Sequence, residues 1–534
     1  MSESGNVLHQ ISGPEAVWSR VNTAESVVGV QSPLSWSFWD EGGELGFRRA
    51  YCELGFLPPS ALRIPDRIEE KFTAIFYGRA ATNVSAFRDA LDAMPLSSTD
   101  DAEQSFFSSR STQARDGSSR SRRFVAAIRM PMATLRLPGR LAKIRVESEA
   151  FWRESLEALP EEGVPAAARR IERALERFSD EVAAQIVAST VATFCSGRMQ
   201  RLIMHHREAI PGGEEDLELR LLGGFGDMEE IRVSADLWQV ARGGHDLTEF
   251  LSRHGFRGPA DGELSSRSWR ENSKPIEKLL APYRTLPETK SPVAAEGRRI
   301  EDRNAATREF LACLRGVDRL KARIVLNLVA RYVPLRVIAK AAFQQTFDVA
   351  RAAARQIGEI HSSSGLLDHA EDVFYLMRDE LVDPPPDAQE RVESRRRLRS
   401  AYEEMDLPLE FTGMPEPFSL HDVEELSSTG PLVGLGVSPG VAEGVARVVL
   451  DPSESELLPG EILVCSITDP SWSSYFLIAA GVVIDVGGPL SHGAIVAREL
   501  GIPCVINTVD GTRRLRSGDR LRIDGSSGQV EVLS

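Results

Sequence analysis

His492 lies at the junction of a predicted strand, a glycine pair and a predicted helix. A β-branched run ends at Val486, Gly487 and Gly488 follow it, and a helical segment begins at about Ser491. Glycines let an anion approach the backbone, and the free N–H groups and positive dipole end of a helix favour phosphoryl oxygens. The same positive end disfavours imidazolium, so we expect a neutral ring at pH 7, as a nitrogen nucleophile requires. The segment therefore predicts that His492 accepts a phosphoryl group; the alternative is that the ring only caps a helix.

The elements that must position such a site fall into two regions. In the first, apolar residues at helical spacing predict long helices over 165–200, 300–329, 335–360 and 389–405. Arg336 and Lys340 lie four residues apart on the third of these helices, so both side chains project from one face. A mixture of Pro, Gly, Ser and acidic residues at 413–432 predicts a linker. The first region, 1–412, is thus predicted to be a large, mainly α-helical domain.

The second region, 433–534, consists of short β-branched runs. They predict strands at 444–450, 461–468, 481–486, 502–507, 520–524 and 529–533. A helix at 491–500 lies between them, and the last two strands flank a Gly525-Ser526-Ser527-Gly528 turn that predicts a hairpin. The predicted fold class is therefore multidomain, with a C-terminal α/β domain after the helical one.

Charge and cysteine content argue against several classes of protein. The 534 residues carry 63 basic and 78 acidic side chains, a formal net charge of −15, which repels a polyanion such as nucleic acid. Five cysteines without a C-x-x-C pair argue against a disulfide framework and a structural zinc site. No stretch of about 18 apolar residues occurs, and the N-terminus lacks a signal-peptide pattern. We expect a cytoplasmic protein with no metal site, membrane segment or nucleic-acid partner, and a mobile basic loop at 105–123.

The motif around His492 reads Gly487-Gly488-Pro489-Leu490-Ser491-His492-Gly493-Ala494-Ile495-Val496-Ala497-Arg498-Glu499. It resembles the signature G-G-x-[TLM]-[SC]-H-[AG]-x-[IV]-[AV]-x-R-E of the phosphoenolpyruvate-utilising enzymes, which include phosphoenolpyruvate synthase, pyruvate phosphate dikinase and rifampin phosphotransferase. The likeness extends through Gly501-Ile502-Pro503, Thr468-Asp469-Pro470 and Gly434-Leu435-Gly436-Val437-Ser438-Pro439-Gly440. The resemblance implies that His492 is the phosphorylated residue and Ser491 its helix-cap neighbour. It also implies that 433–534 is a swivelling domain that carries phosphate between two remote sites.

Looser pieces of the first region are similar to the substrate domain of rifampin-phosphotransferase-type proteins. They are Trp18-Ser19-Arg20-Val21-Asn22, Ser32-Pro33-Leu34-Ser35-Trp36-Ser37, Arg257-Gly258-Pro259 and Glu371-Asp372-Val373-Phe374-Tyr375-Leu376. By this resemblance Arg336 and Lys340 lie beside the acceptor hydroxyl and neutralise charge on the phosphoryl group in transfer; the alternative is a solvated basic stripe. Gln31 is expected to meet the same acceptor. Trp36, with its aromatic neighbours, suggests an apolar acceptor pocket unless these rings belong to the core.

The resemblance also implies a partner. Self-sufficient members carry an ATP-grasp nucleotide-binding domain or a phosphoenolpyruvate barrel, and neither is expected beside the two predicted regions. A separate ATP-grasp protein would then supply the phosphoryl group from ATP and Mg²⁺, or phosphoenolpyruvate would be the donor. The predicted function is a phosphotransferase component that loads His492 and delivers the group to a hydroxyl of a small, apolar acceptor. Two alternatives are an ATP-dependent dehydratase, from which the phosphate leaves again, and a non-catalytic ligand-binding or regulatory protein.

Overall fold

The computed structural model describes residues 6–21, 23, 26–94, 120–210, 214–226, 228–419, 432–452, 456–489 and 491–533. The chain divides into two compact units. Unit 1 comprises residues 1–190, 260–266 and 338–422, and unit 2 comprises residues 191–259, 267–337 and 423–534. Most of the predicted linker and the predicted basic loop up to residue 119 lie outside the described residues. The predicted boundaries at 412 and 433 therefore stay a prediction.

The α-helices of the described residues account for most of the regular structure before residue 404. In chain order they are α1 (Pro33–Phe38), α2 (Glu44–Leu54), α3 (Val84–Leu91), α4 (Arg120–Ala158), α5 (Val164–His205), α6 (Glu214–Leu221), α7 (Glu229–Ala241), α8 (Leu247–His254), α9 (Lys274–Thr285), α10 (Pro292–Cys313), α11 (Gly316–Tyr332), α12 (Arg336–Ser363), α13 (Ala388–Glu403), α14 (Ser473–Phe476), α15 (His492–Leu500) and α16 (Gly511–Arg514). The predicted helices at 165–200, 335–360 and 389–405 correspond to α5, α12 and α13. The single helix predicted at 300–329 is two helices, because the backbone is extended at Leu314 and Arg315, between α10 and α11.

The strands of the described residues form two larger sheets and one short pair. In chain order they are β1 (Val17–Ser19), β2 (Thr73–Phe76), β3 (Arg79–Asn83), β4 (Met405–Asp406), β5 (Glu410–Thr412), β6 (Phe418–Ser419), β7 (Leu432–Val433), β8 (Leu435–Ser438), β9 (Val441–Val448), β10 (Ile462–Cys465), β11 (Gly481–Ile484), β12 (Cys504–Ile506), β13 (Arg520–Asp524) and β14 (Gln529–Leu533). The hairpin predicted at the end of the chain is β13–β14, paired from Arg520↔Leu533 to Asp524↔Gln529. A mainly helical chain with a C-terminal α/β region is thus confirmed.

Unit 1 combines a small antiparallel sheet, in the order β2-β3-β1-β5, with long helices. Its core contains an aromatic cluster from α1, the turn that follows it, α5 and α12. Ring centroids in this cluster lie 4.9–6.4 Å apart, and its members are Phe38, Trp39, Phe178, Phe343 and Phe347. Phe38 and Trp39 are therefore core residues, the alternative that the sequence left open.

Helix α4 begins inside the predicted basic loop and continues through Pro131 and Pro138. A proline in a helix interior costs about 3 kcal/mol, since it removes a hydrogen bond and clashes with the preceding turn. The helix is nevertheless held because one of its faces is buried, through Ala126, Met130 and Leu137. Packing of this face outweighs local propensity, which is why the sequence pattern did not predict α4.

Unit 2 is built on an eight-stranded sheet in the order β7-β14-β13-β9-β10-β11-β12-β8. Neighbours from β9 to β12 run parallel, and the outer pairs run antiparallel. β7 and β8 are separated only by Gly434, yet they lie at opposite ends of this order, so the chain links the two ends of the sheet.

The central strands of unit 2 bury both of their faces. Alternate side chains such as Leu463, Val482 and Ile484 share a core with residues of helices α7, α9, α14 and α15. The intervening side chains, such as Val464 and Val483, belong to a second core that includes residues of β9, β13 and β14. Because both faces are buried, these strands appear in the sequence as continuous β-branched runs, without alternating polar residues. None of the described helices combines the length and apolar composition that a bilayer crossing demands.

Candidate functional site

His492 is the first residue of α15, and Ser491 is the N-cap. Ser491 has an extended backbone, with φ −64° and ψ 163°, and its hydroxyl accepts the N–H of Ala494 at 3.4 Å. The Ser491 N–H donates to the carbonyl of Gly488 at 2.9 Å, which closes the turn that precedes the helix. The predicted helix start is confirmed, and His492 sits in the turn where free N–H groups and the helix dipole favour an anion. Only 8% of its surface is exposed.

A serine of helix α14 adjoins the ring of His492. Ser473 Oγ lies 3.2 Å from His492 Nε2. The backbone of this short helix is held from two sides, since the Tyr283 hydroxyl donates to the carbonyl of Ser474 at 2.9 Å and Ser234 Oγ approaches the carbonyl of Ser473 at 3.4 Å. Burial raises the pKa of Tyr283, which keeps its hydroxyl a neutral donor. Helices α7 and α9 thus position the serine that contacts the ring.

Two glycines beside His492 have different structural roles. A Cβ on Gly488 would have no atom of the described residues within 4 Å, so this side of the turn is open. A Cβ on Gly493 would overlap Ile484 Cδ1 and lie 2.8 Å from Thr468 Oγ1. Gly493 therefore lets α15 approach strand β11 closely, whereas Gly488 leaves room in which an anion could reach the backbone.

Arg498 holds the glycine turn from the protein interior. Its side chain is fully buried, and Nη2 donates to the carbonyl of Pro489 at 2.5 Å. Burial lowers the pKa of Arg498 to about 10, with Glu499 acting in the opposite direction, so the guanidinium stays charged at neutral pH. A charged donor under the turn fixes the backbone that precedes Ser491.

In unit 1, Gln31 is fully buried directly before helix α1. Its Nε2 donates to the carbonyl of Val28 at 2.9 Å, and its Oε1 has no hydrogen-bond partner within the described part of the chain. A buried amide oxygen without a partner costs roughly 1–3 kcal/mol, which a ligand hydroxyl would recover. Trp36 is also buried, in the core cluster that includes Phe343.

The turn that carries Gln31 is anchored by a carboxylate that the sequence analysis did not select. Glu263, 4% exposed, accepts the N–H of Ser32 at 2.8 Å on one oxygen. Its other oxygen accepts Ser32 Oγ at 2.6 Å, Ser35 Oγ at 2.8 Å and the N–H of Ser265 at 2.8 Å. Burial alone would raise the pKa of Glu263, but Arg399 and these hydrogen bonds outweigh it and lower the pKa. The carboxylate is therefore ionised and holds the start of α1.

The predicted basic pair lies on α12, as expected, and both residues are half-buried. Lys340 belongs to unit 1 and Arg336 to unit 2. Lys340 lies one turn before Phe343, whose ring is 6.4 Å from that of Trp39. Unit 1 thus brings the predicted Gln31, Trp36 and Lys340 to adjoining elements, while His492 lies in unit 2. The roles of all these residues toward an acceptor stay predictions.

Ser473 and Glu263 are the site residues that sequence reasoning missed. Ser473 follows Thr468-Asp469-Pro470, a piece of the resemblance, and Glu263 follows Arg257-Gly258-Pro259, another. The local signal was therefore present, but the partner of each side chain is distant along the chain. Within the described residues, no group of three His, Cys, Asp or Glu side chains is arranged to hold a metal ion.

Comparison with known protein families finds two matching segments. The family described as the mobile domain of PEP-utilising enzymes matches residues 457–528, which include the glycine turn, His492 and Ser473. The family described as the rifampicin phosphotransferase fourth domain matches residues 242–336. Two segments of this chain are therefore similar to parts of PEP-utilising enzymes. The resemblance predicted from the sequence is thereby confirmed.

Several curated proteins are similar to parts of this chain. An uncharacterised protein of Mycobacterium tuberculosis (strain H37Rv) is 32% identical over 337 residues, 63% of this chain and 36% of that protein. A rifampicin phosphotransferase of Streptomyces sviceus is 32% identical over 302 residues, 54% of this chain and 34% of that enzyme. An uncharacterised phosphotransferase of Bacillus subtilis is 37% identical over 198 residues, 35% of this chain and 24% of that protein. The chain therefore spans about a quarter to a third of the length of these curated relatives.

Proposed function

We propose that this protein is a phosphotransferase component in which His492 takes a phosphoryl group from a donor and passes it to a hydroxyl of a small molecule. The observation that carries the proposal is the position of His492 in the first turn of α15, beside the open side of Gly488. Helix N–H groups and the positive dipole end favour phosphoryl oxygens at this point. The match of the surrounding segment to the mobile domain of PEP-utilising enzymes supports the same chemistry.

Transfer proceeds in two displacements on phosphorus. In the first, a ring nitrogen of His492 attacks, an N–P bond forms, and the electron pair of the breaking P–O bond leaves with the donor. In the second, the acceptor oxygen attacks the same phosphorus, the N–P bond breaks, its electron pair returns to the ring, and the hydroxyl proton passes to solvent. The protein contributes positioning and charge neutralisation. Ser473 holds the ring, and helix α15 stabilises the anion.

Loading requires a change in the surroundings of His492. With 8% of its surface exposed, the ring cannot receive a group from a bulky donor as it stands. A donor on a separate ATP-grasp protein, with ATP and Mg²⁺, would therefore meet the site only after the covering residues move.

The acceptor is proposed to be a hydroxyl-bearing, partly apolar small molecule that reaches Gln31 and Lys340; Trp36 belongs to the core beside them. Within the described residues Gln31 Oε1 has no hydrogen-bond partner, so it would accept the hydroxyl hydrogen, and Lys340 would neutralise the phosphoryl oxygens. Relatives named rifampicin phosphotransferase make a complex natural-product alcohol a suitable first candidate.

The test is to incubate the protein with γ- or β-labelled ATP and a candidate ATP-grasp partner, and in a parallel arm with labelled phosphoenolpyruvate. We expect acid-labile, base-stable label on the chain, its loss in His492→Ala, and its retention in His205→Ala, an exposed histidine of the same unit. Label that persists in His492→Ala contradicts the assignment. Label from ATP without any partner contradicts the two-protein scheme.

A further inference from the structure

Helix α4 carries an apolar face that is exposed in the described part of the chain. Large apolar side chains are exposed along it, from Val125 at 40% through Leu135 at 75% to Val146 at 68%. Seven exposed residues of this face form what we call the α4 seam: Val125, Ile128, Met132, Leu135, Gly139, Ala142 and Val146. Successive members are spaced by three, four, three, four, three and four residues. This is the a/d spacing of a heptad repeat, sustained over about 32 Å of helix.

The buried face of α4 is a different set of residues. Ala126, Met130, Ala133, Leu137 and Leu141 are each at most 4% exposed. Each lies one or two positions from a seam residue in the sequence, and therefore on a different side of the helix. The helix is therefore already anchored in unit 1 without the seam, and the exposed residues are not needed to bury α4.

Basic side chains line one margin of the α4 seam. Residues 120–146 contain eight Lys or Arg and no Asp or Glu, in a chain whose net charge is −15. Arg129, Arg136 and Lys143 follow one another at seven-residue spacing, each directly after a seam residue, and all three are exposed. In a heptad this is the e row, whose charges select the partner of a coiled coil.

We propose that the α4 seam docks an amphipathic helix of a partner protein, with apolar residues at a and d and Asp or Glu in the row that faces Arg129, Arg136 and Lys143. Apolar residues at heptad spacing can pack against the side chains of a second helix. The basic row favours a helix with acidic residues opposite it. A second copy of this chain is a poor occupant, because both helices would bring cations and no acid to the contact. A lipid surface suits the second half of the seam poorly, since Gly139 and Ala142 offer little apolar surface to insert but leave room for large residues of a neighbouring helix.

The probe is a dye-labelled peptide of four heptads with Leu at a and d and Glu at e and g; the matched peptide has Lys at e and g. Binding to the full chain is followed by fluorescence anisotropy at low and high salt. We expect the Glu peptide to bind at micromolar concentration, at least tenfold more tightly than the Lys peptide. Leu135→Glu and the double change Arg136→Glu with Lys143→Glu should each weaken binding at least tenfold. Leu366→Glu, at another exposed leucine of unit 1, should leave it unchanged.

Several results would overturn the proposal. Equal binding of the two peptides, or binding of the Glu peptide that survives Leu135→Glu, removes the seam as its site. Sedimentation of the chain with vesicles of 30% phosphatidylglycerol, lost in Leu135→Glu, assigns the face to a membrane. A dimer in analytical ultracentrifugation that Leu135→Glu dissolves assigns it to a second copy. If the Glu peptide binds only after deletion of residues 95–119, the occupant of the seam is that segment of this chain. Circular dichroism of each variant confirms that the helices are intact.

Discussion

Replacing Glu263 with glutamine tests whether this carboxylate fixes the start of helix α1. A glutamine can present its oxygen to the hydroxyls of Ser32 and Ser35 and to the N–H of Ser265, but its NH₂ group then faces the N–H of Ser32. A buried N–H without an acceptor costs about 1–3 kcal/mol, and each hydrogen bond that loses its charged acceptor weakens by about 1 kcal/mol. The turn that carries Gln31 should therefore lose on the order of 4 kcal/mol.

Hydrogen exchange followed by mass spectrometry measures this loss where it occurs. A loss of about 4 kcal/mol accelerates exchange roughly 10³-fold, and we expect this in peptides that cover residues 31–39. Peptides from strands β10 and β11 should exchange as in the parent chain. The pKa of Glu263 is lowered in the folded state, so its stabilisation is present above the unfolded pKa and is lost as pH falls through the folded value. The difference between parent and Glu263→Gln should accordingly shrink below about pH 4.

A matched control separates this anchor from a general effect of removing an acid. Glu371 is half-exposed and pairs with Arg355 in unit 1, so Glu371→Gln should change exchange less than about threefold. Acceleration of residues 31–39 by less than tenfold in Glu263→Gln, or by the same factor in both variants, would refute the reasoning. Labelling of His492 by a donor should persist in Glu263→Gln, because His492 and Ser473 belong to unit 2, whereas Glu263 belongs to unit 1.

Three further predictions concern single side chains. Gly488→Ala should leave the thermal unfolding temperature within about 2 °C of the parent, as should the control Gly297→Ala, yet only Gly488→Ala should reduce phosphoryl loading of the histidine, measured with labelled donor. Ser473→Ala removes a hydrogen bond of about 1 kcal/mol to the ring and should slow loading roughly fivefold in rapid-quench experiments; an unchanged rate would contradict its positioning role. Burial raises the pKa of Glu181 to about 7, so its charged form destabilises the fold increasingly from about pH 4.5 to 7, by about 3 kcal/mol in total. Glu181→Gln should then gain stability over the parent at pH 8 but not at pH 4 in urea unfolding, while the exposed control Glu176→Gln should show no such trend.

The parts of this protein that local sequence determined are those whose contacts join neighbours along the chain. The start of α15 rests on the Ser491 cap and the Gly488 turn, and each involves residues at most three positions apart. The final hairpin depends on a short glycine-containing turn between β-branched runs, and α5 and α12 on the spacing of apolar residues. Such signals can be read from the sequence because caps and turns need particular residue types at fixed positions, and a helix face repeats with a fixed period.

Tertiary structure alone decided the features that depend on distant partners. Glu263 reaches Ser32 across 231 positions, and Ser473 meets His492 from a separate helix. Helix α4 continues through Pro131 and Pro138 because one of its faces is buried, which no local propensity indicates. In each case contacts with residues that are distant along the chain outweigh a local preference or provide a buried polar group with a hydrogen-bond partner. The sequence by itself therefore determined where His492 lies, at the start of a helix after a glycine turn, and the fold decided which side chains hold His492 and the turn of Gln31 in place.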